Sequence, residues 1–332
     1  LEELDTYIQD ALDLIEFANG ETTTRWGGLR AEMGHPARFN MKYLGIGNEQ
    51  WDEQYIERYR VFEKVLKEKH PEIKIVSGSG PSSAGRMFEY GWSELRKLSP
   101  DLIDEHYYMP PEWFLENATR YDNYDRKGIK VFAGEYAAHG KEGTEAESRN
   151  SWWSALCEAA FMTGLERNAD VVHMASYAPL LAHTEAWQWR PDLIWFDNLR
   201  TIGSPNYYVQ KIFSNYSGTN IVAALSGGKA LTGQNGIYAS SSVDRKNGKL
   251  YIKLVNSSEK QVPVRLALGR LPYTKTAVQQ TLKSDAREDF NSVSGQELIK
   301  PSETPVSISG RRIDTVSEPL SVNIIIIDFK LR

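Results

Sequence analysis

The sequence predicts an α/β fold in its first two-thirds and an all-β fold in its last third. Up to about Gly218, short apolar strands alternate with helical segments, which is typical of parallel βα units. Beyond that point apolar and polar residues alternate one by one, as in a β-sandwich. All nine tryptophans and all six histidines lie at or before Trp195. We therefore predict an α/β domain at residues 1–218 and a β-sandwich domain at residues 219–332.

The composition excludes several classes of function. The formal net charge is −5 and the sequence pI is about 5.8, with no block of like charge, so nothing favours binding to nucleic acid. No apolar run approaches the roughly 18 residues needed to span a bilayer. A single cysteine, Cys157, excludes an intramolecular disulfide and a cysteine-rich zinc site. No metal-ligand spacing is present among the histidines, and we expect no metal and no cofactor.

Helical spacing and short apolar runs predict the elements of the first part. The predicted helices are Leu4–Asn19, Tyr55–Leu66, Phe88–Leu98, Ser151–Leu165 and Asn206–Ser214. The predicted strands are Tyr43–Ile46, Ile73–Val76, Leu102–Tyr108, Ile129–Phe132 and Val171–Met174. These strands are about three fewer than the eight of a TIM barrel. If the fold is a barrel, we expect its first strands to precede Leu1 in a longer polypeptide.

The last third shows the patterns of antiparallel strands. Apolar residues alternate at Leu250, Ile252 and Leu254, directly after the turn sequence Lys246-Asn247-Gly248. Similar alternation begins at Val264 and at Val322. Strands at this spacing, with turns between them, predict a sandwich of two sheets.

Polar residues cluster where the predicted strands of the first part end. Asn48-Glu49 follows one strand, and His106 and Tyr108 end another. Glu135 follows a third strand. In a barrel these ends face one shared cavity, whereas in an open sheet they would not all converge, so the pattern favours a TIM barrel. Two glutamates in one cavity are what acetal hydrolysis requires, with carboxyl groups about 5–5.5 Å apart in retaining enzymes.

Several segments together resemble one enzyme family. The pair Asn48-Glu49 in KYLGIGNEQW is similar to the acid/base motif on strand four of a large group of retaining glycosidases, and VFAGEYAAHG is similar to their nucleophile motif on strand seven. The segments DLIEFANG, WGGLRAEMGHPARFNMKYLGIGNE, DEHYY and ASYAPLLAH…WRPDLIWFDN resemble the α-L-arabinofuranosidases of glycoside hydrolase family 51. The resemblance covers about residues 4–218 and implies a barrel followed by a β-sandwich.

The resemblance also implies roles for individual residues. Glu49 would be the general acid/base and Glu135 the nucleophile of a retaining hydrolase. Asn48 would bind the 2-hydroxyl of the sugar. Tyr108 would donate a hydrogen bond to Glu135, and His106 would lie beside the two carboxylates. The implied substrates are arabinose-containing plant glycans such as arabinan and arabinoxylan.

Three tryptophans and the identity of the substrate each allow more than one interpretation. Trp51, Trp187 and Trp189 could line a groove for the glycan, or they could be packing residues. A xylosidase or an endo-glucanase would share the same two glutamates, and a non-catalytic carbohydrate-binding fragment is a further alternative. The resemblance suggests a homo-oligomer, and degradation of glycans suggests a periplasmic or secreted location.

Overall fold

The computed structural model describes residues 3–295 and 297–330, which form two compact units. One unit takes the chain up to His106 together with Asp125–Ala133, and the other takes Tyr107–Tyr124 together with the chain from Gly134 onward. Within the described ranges, no helix is both long and apolar enough to cross a membrane. The domain limits at residues 1–218 and 219–332 stay a prediction.

The first two-thirds of the chain contain helices and short strands in alternation. The helices are α1 (Leu4–Asn19), α2 (Arg25–Glu32), α3 (Asp52–Lys69), α4 (Arg86–Leu98), α5 (Pro111–Glu116), α6 (Trp152–Arg167) and α7 (Pro205–Asn215). The strands are β1 (Tyr43–Ile46), β2 (Lys74–Gly78), β3 (Leu102–Met109), β4 (Lys130–Ala138), β5 (Val172–Tyr177), β6 (Leu181–His183), β7 (Ile194–Phe196) and β8 (Thr201–Gly203).

Parallel pairing organises the first unit. Strand β1 pairs with β2 in parallel, with Leu44 opposite Ile75, and β2 pairs with the beginning of β3, with Val76 opposite Leu102. Among the described strands, β2 is the only partner of β1. An open cavity of about 1100 Å³ lies beside β1, lined by apolar side chains of α1 and α3 that include Leu14 and by β1 itself.

Two strands extend well past their predicted ends. Strand β4 continues through Ala138, so Glu135 lies within the strand and not after it, and β5 reaches Tyr177. Strand β3 contains His106 and Tyr108 as predicted and ends one residue later, at Met109. The pattern gave no sign of this because parallel strands are buried on both faces and need not end where polar residues begin.

Helix α2, helix α5 and the three-stranded sheet β6–β7–β8 were not predicted. Two adjacent glycines weaken the helical pattern of α2. The fully buried side chain of Arg30 compensates for this weak helical preference. Its guanidinium donates to the carbonyl oxygens of Phe17, His35 and Pro36 at 2.7–3.2 Å. Tertiary hydrogen bonds therefore stabilise a helix that local propensity disfavours.

The last third of the chain, in the second unit, is all-β as predicted. Its strands are β9 (Asn220–Val222), β10 (Leu225–Ser226), β11 (Lys229–Ala230), β12 (Thr232–Gln234), β13 (Ile237–Asp244), β14 (Lys249–Asn256), β15 (Val262–Ala267), β16 (Tyr273–Lys283), β17 (Ser302–Ser307), β18 (Arg312–Ser317) and β19 (Ser321–Phe329). The main sheet has the order β12-β13-β14-β19-β16-β17, with β9 on β13, and a second sheet pairs β15 with β18. Side chains of both sheets form one hydrophobic core.

The predicted hairpin turn before Leu250 is confirmed, because Lys246–Gly248 lie between the antiparallel strands β13 and β14. Two polar positions of β14, Lys253 and Asn256, are buried, however. Lys253 is 1% exposed and forms an ion pair with Glu166 of α6, and its Nζ donates to the carbonyl oxygen of Tyr216 at 2.7 Å. One face of β14 therefore packs in the sandwich core, and the other lies against α6.

Candidate active site

The loop after β1 places Glu49 in an uncommon backbone conformation. Gly47 has φ = 81°, and a Cβ at this position would lie 2.5 Å from Oε1 of Gln50 and 3.0 Å from the ring of Tyr55. Only glycine fits this turn without rearrangement. Glu49 itself has φ = 56°, a left-handed conformation that is uncommon for a non-glycine residue.

His106 holds the carboxylate of Glu49 within the first unit. Nδ1 of His106 lies 2.9 Å from Oε1 of Glu49, and Nε2 lies 3.1 Å from Oδ2 of Asp104. The imidazole is 3% exposed, whereas the side chain of Glu49 is 35% exposed. A buried ring thus fixes the orientation of a carboxylate that solvent and substrate can still reach.

The residues that follow Glu49 in this loop lead into the first turn of α3. Asp52 has φ = 62° and accepts two hydrogen bonds from Arg86, at 2.9 and 2.8 Å. Asn48 is exposed, and its backbone N–H donates to the side chain of Gln50. Trp51 precedes α3 with its side chain 49% exposed. The ion pair of Asp52 and Arg86 was not predicted, because 34 residues separate its two members in the chain.

In the second unit, Tyr108 of β3 holds the carboxylate of Glu135. The hydroxyl of Tyr108 donates to Oε2 of Glu135 at 2.6 Å, which is the hydrogen bond that the family resemblance implied. The residues that follow Glu135 in β4, from Tyr136 to Ala138, are completely buried. Glu135 is therefore set on a rigid strand, as a precisely oriented group requires.

A buried glutamate supports the end of the same strand. Oε1 of Glu158, on α6, accepts a hydrogen bond from the backbone N–H of Ala138 at 2.7 Å. Its Oε2 has no hydrogen-bond partner among the described residues. Burial raises the pKa of Glu158 to about 8, while hydrogen bonds from its neighbours lower it by less. Glu158 is therefore protonated near neutral pH.

Three rings form a cluster next to Glu135. The ring centroids of Tyr108 and His139 are 5.8 Å apart, those of Tyr108 and Trp189 are 5.7 Å apart, and those of His139 and Trp189 are 5.8 Å apart. Burial, with a smaller contribution from the charge of Arg149, lowers the pKa of His139 to about 4. The cluster is thus uncharged near neutral pH.

The two units each hold one glutamate with a hydrogen-bond partner from β3. The first contains Asn48, Glu49, Trp51 and His106, and the second contains Tyr108, Glu135 and Trp187. Trp187 is 40% exposed, with the guanidinium of Arg190 4.4 Å from its ring centroid. Asp104 and His139 were not predicted as site residues, although both lie in segments that resemble the family, DEHYY and VFAGEYAAHG.

Comparisons with known families give matches over almost all of the sequence. Residues 134–321 match the family described as "Alpha-L-arabinofuranosidase C-terminal domain". Residues 1–126 match the family described as "Alpha-L-arabinofuranosidase 1 domain". The first match alone covers more than half of the chain.

Curated relatives carry the same description. An extracellular exo-α-L-arabinofuranosidase of Streptomyces chartreusis is 51% identical over 220 residues, which are 66% of this chain and 26% of the relative. Alpha-L-arabinofuranosidase 2 of Arabidopsis thaliana is 34% identical over 303 residues, which are 90% of this chain and 42% of the relative. The chain thus spans from about a quarter to less than half of the length of these relatives.

Solved structures are similar over nearly the whole chain. An arabinose-bound MgGH51 α-L-arabinofuranosidase matches with a TM-score of 0.86 and 29% identity, over 99% of this chain and 52% of that one. The arabinose complex of an α-L-arabinofuranosidase from Thermotoga maritima matches with a TM-score of 0.78 and 18% identity, over 97% and 73%, which shows the fold alone. The predicted fold class is therefore confirmed: strands of a TIM barrel followed by an all-β domain.

Proposed function

The chain belongs to the α-L-arabinofuranosidases of glycoside hydrolase family 51, and from this premise we propose that it carries the two catalytic carboxylates of a retaining glycosidase. The enzyme releases α-L-arabinofuranosyl residues from arabinose-containing plant polysaccharides or oligosaccharides. Glu49 is the general acid/base and Glu135 is the nucleophile. Asn48 hydrogen-bonds the 2-hydroxyl of the sugar.

One feature of strand β3 carries this proposal. His106 and Tyr108 are two residues apart on the same strand, and side chains at this spacing point to the same face. His106 binds Glu49, and Tyr108 binds Glu135. We infer that the two glutamates act on one sugar, because neighbouring positions on one strand face orient both.

The chemistry requires two displacements at the same carbon. An oxygen of ionised Glu135 attacks the anomeric carbon, while the glycosidic bond breaks and the protonated Glu49 gives its proton to the departing oxygen. The product of this step is an arabinosyl ester of Glu135. Glu49, now ionised, then removes a proton from water as the water oxygen attacks the anomeric carbon, and the ester bond breaks. Both carboxyl groups return to their starting state.

The division of labour between the glutamates can be tested with two variants. Glu135→Ala should abolish nearly all turnover, because no ester can form. Glu49→Ala should slow an arabino-oligosaccharide far more than an activated aryl arabinofuranoside, whose leaving group needs little protonation. Azide should restore turnover of the aryl substrate by Glu49→Ala and yield arabinosyl azide with retained configuration, since it attacks the ester of Glu135. Equal losses on both substrates would contradict the acid/base role of Glu49.

The same assay distinguishes other substrates and a non-catalytic role. A preference for an aryl xyloside or cellobioside over the arabinofuranoside would contradict the proposed specificity. Glycan binding without turnover, unchanged by Glu135→Ala, would contradict the proposed catalysis. The homo-oligomer and the periplasmic or secreted location stay predictions.

A further inference from the structure

Trp189 differs from the other aromatic residues near Glu135 because it is fixed in place and yet half exposed. Its ring meets that of Tyr108 at an angle of 65° and that of His139 at 63°, edge to face in both cases. Its side chain remains 48% exposed. Two edge-to-face contacts from different elements define the plane of an indole, and such contacts are favourable beyond the area that they bury.

A second tryptophan on the same segment provides a comparison. Trp187 is exposed to a similar extent, but the guanidinium of Arg190 lies over its ring. Arg190 is itself held by a hydrogen bond to the carbonyl oxygen of Glu145 at 3.3 Å. A cation therefore already covers one face of Trp187, and no ring contact joins Trp187 to Tyr108 or His139 in the described residues. Of these two tryptophans, Trp189 is the one whose ring contacts Tyr108, the residue that donates to Glu135.

His139 takes part in the cluster through its ring and not through a charge. Its Nε2 is buried and has no hydrogen-bond partner among the described residues, a position unsuited to an imidazolium. Its backbone N–H donates to the carbonyl oxygen of Met109 at 2.8 Å, which ties the ring to the end of β3. The imidazole thus packs against both Tyr108 and Trp189, whose rings also contact each other.

We propose that Trp189 is a stacking platform for a sugar ring beside Glu135, and that His139 is the positioning residue that holds it against Tyr108. This inference rests on the proposed function for the identity of the ligand, an arabinofuranosyl glycan. The C–H face of a sugar ring is apolar and packs well on an indole, and a ring fixed before binding loses little freedom when the sugar arrives. The stacked ring belongs either to the terminal arabinofuranosyl unit or to the sugar next to it.

Binding of two non-hydrolysable probes to the full chain tests the platform. The probes are a thio-linked arabinotriose and methyl 1-thio-α-L-arabinofuranoside, and the measurement is the Kd by titration calorimetry. Trp189→Ala should raise the Kd for the arabinotriose about tenfold, whereas Trp189→Tyr should change it by less than about threefold. Trp187→Ala, the matched control, should change it by less than about twofold. A loss for both probes assigns the terminal unit, and a loss for the arabinotriose alone assigns its neighbour.

The role of His139 has its own pair of variants. His139→Phe keeps an uncharged ring, and its Kd for the arabinotriose should stay within about twofold of that of the unmodified chain. His139→Ala removes the ring that packs against Trp189 and should raise this Kd about fivefold. Weak binding by His139→Phe would show that a nitrogen, and not the ring, is needed.

The outcomes separate the platform from the proposed function. If the chain hydrolyses aryl arabinofuranoside while Trp189→Ala leaves both Kd values unchanged, the platform is wrong and the function stands. If binding depends on Trp189 but no turnover occurs, the platform stands and the function is wrong. A chain that binds neither probe contradicts the platform directly.

Discussion

The hydroxyl of Tyr108 lies 2.6 Å from Oε2 of Glu135, so the proposed nucleophile receives a charge-assisted hydrogen bond from a strand residue. A neutral donor to a carboxylate contributes about 1.5–3 kcal/mol, and it also fixes which oxygen is left to attack. The behaviour of this pair under mutation therefore reports directly on the proposed mechanism.

Tyr108→Phe should lower kcat about 10- to 100-fold and change KM little, because the lost hydrogen bond orients the nucleophile and does not bind the sugar. Steady-state kinetics with an aryl arabinofuranoside measure this. Tyr107→Phe is the matched control, since the hydroxyl of Tyr107 contacts that of Tyr121 in the core. Turnover should survive in the control, and an equal loss in both variants would indicate general damage to β3.

Gly47→Ala should lower turnover, because a side chain at φ = 81° is strained and its Cβ would press against the ring of Tyr55 in the loop that carries Glu49. Gly45→Ala adds the same methyl group in β1, where no atom lies within 4 Å of the added Cβ, and should retain activity. The prediction is checked by measuring the turnover of both variants together with their midpoints of thermal unfolding. Full activity of Gly47→Ala would show that the turn does not position Glu49.

Glu158 should make the protein less stable as the pH rises from about 5 to 8. The folded state keeps its proton up to a pKa of about 8, whereas the unfolded chain releases it near 4.5. The folded state thus binds more protons across this window, and the free energy of unfolding falls as the pH increases. Above the window both states are ionised and the fall ends.

Glu158→Gln should remove this dependence, on the order of a few kcal/mol between pH 5 and pH 8. Urea unfolding at several pH values measures it. The exposed Glu89 on α4 provides the control variant Glu89→Gln, which should retain the slope of the unmodified chain. A slope that Glu158→Gln leaves unchanged would contradict the assignment of the proton to Glu158.

Lys253→Met should destabilise the second unit by about 3–5 kcal/mol, because it leaves the carboxylate of Glu166 buried without its cation. Burial raises the pKa of Glu166 and lowers that of Lys253, so both charges depend on each other. The double variant Lys253→Met, Glu166→Leu should recover most of the loss. Thermal unfolding measures both.

An exposed ion pair provides the comparison with the buried pair of Lys253 and Glu166. Arg265 and Asp314 pair across β15 and β18 with side chains 70% and 50% exposed. Asp314→Asn should leave the midpoint of thermal unfolding almost unchanged, because solvent screens this pair. A similar cost for Asp314→Asn and Lys253→Met would contradict the distinction between them.

The spacing of apolar residues predicted the elements whose ends are determined by residues nearby in the sequence. Strand β1 has the predicted bounds because a short apolar run is closed by Gly47, and α6 begins after Ser151, whose hydroxyl accepts from the N–H of Ser154. The extension of β4 past Glu135 could not be predicted in this way, because it depends on partners from other strands. The same holds for α2, which buried Arg30 stabilises from outside the helix.

The residues of the site likewise divide into those that the motifs predicted and those that they did not. The motifs around Glu49 and Glu135 identified both carboxylates, and the family resemblance implied the contact of Tyr108. The contacts among Tyr108, His139 and Trp189 could not be foreseen, because these residues are 31 and 50 positions apart, although each lies in a segment that resembles the family. Contacts between distant positions are a property of the fold and leave no periodic trace.

The buried Arg30 has a consequence for substitutions in α2. Its forked guanidinium serves the carbonyl oxygens of Phe17, His35 and Pro36 at once, and the single nitrogen of a lysine could not reach all three. Keeping a positive charge at this position is therefore not enough to keep α2 in place.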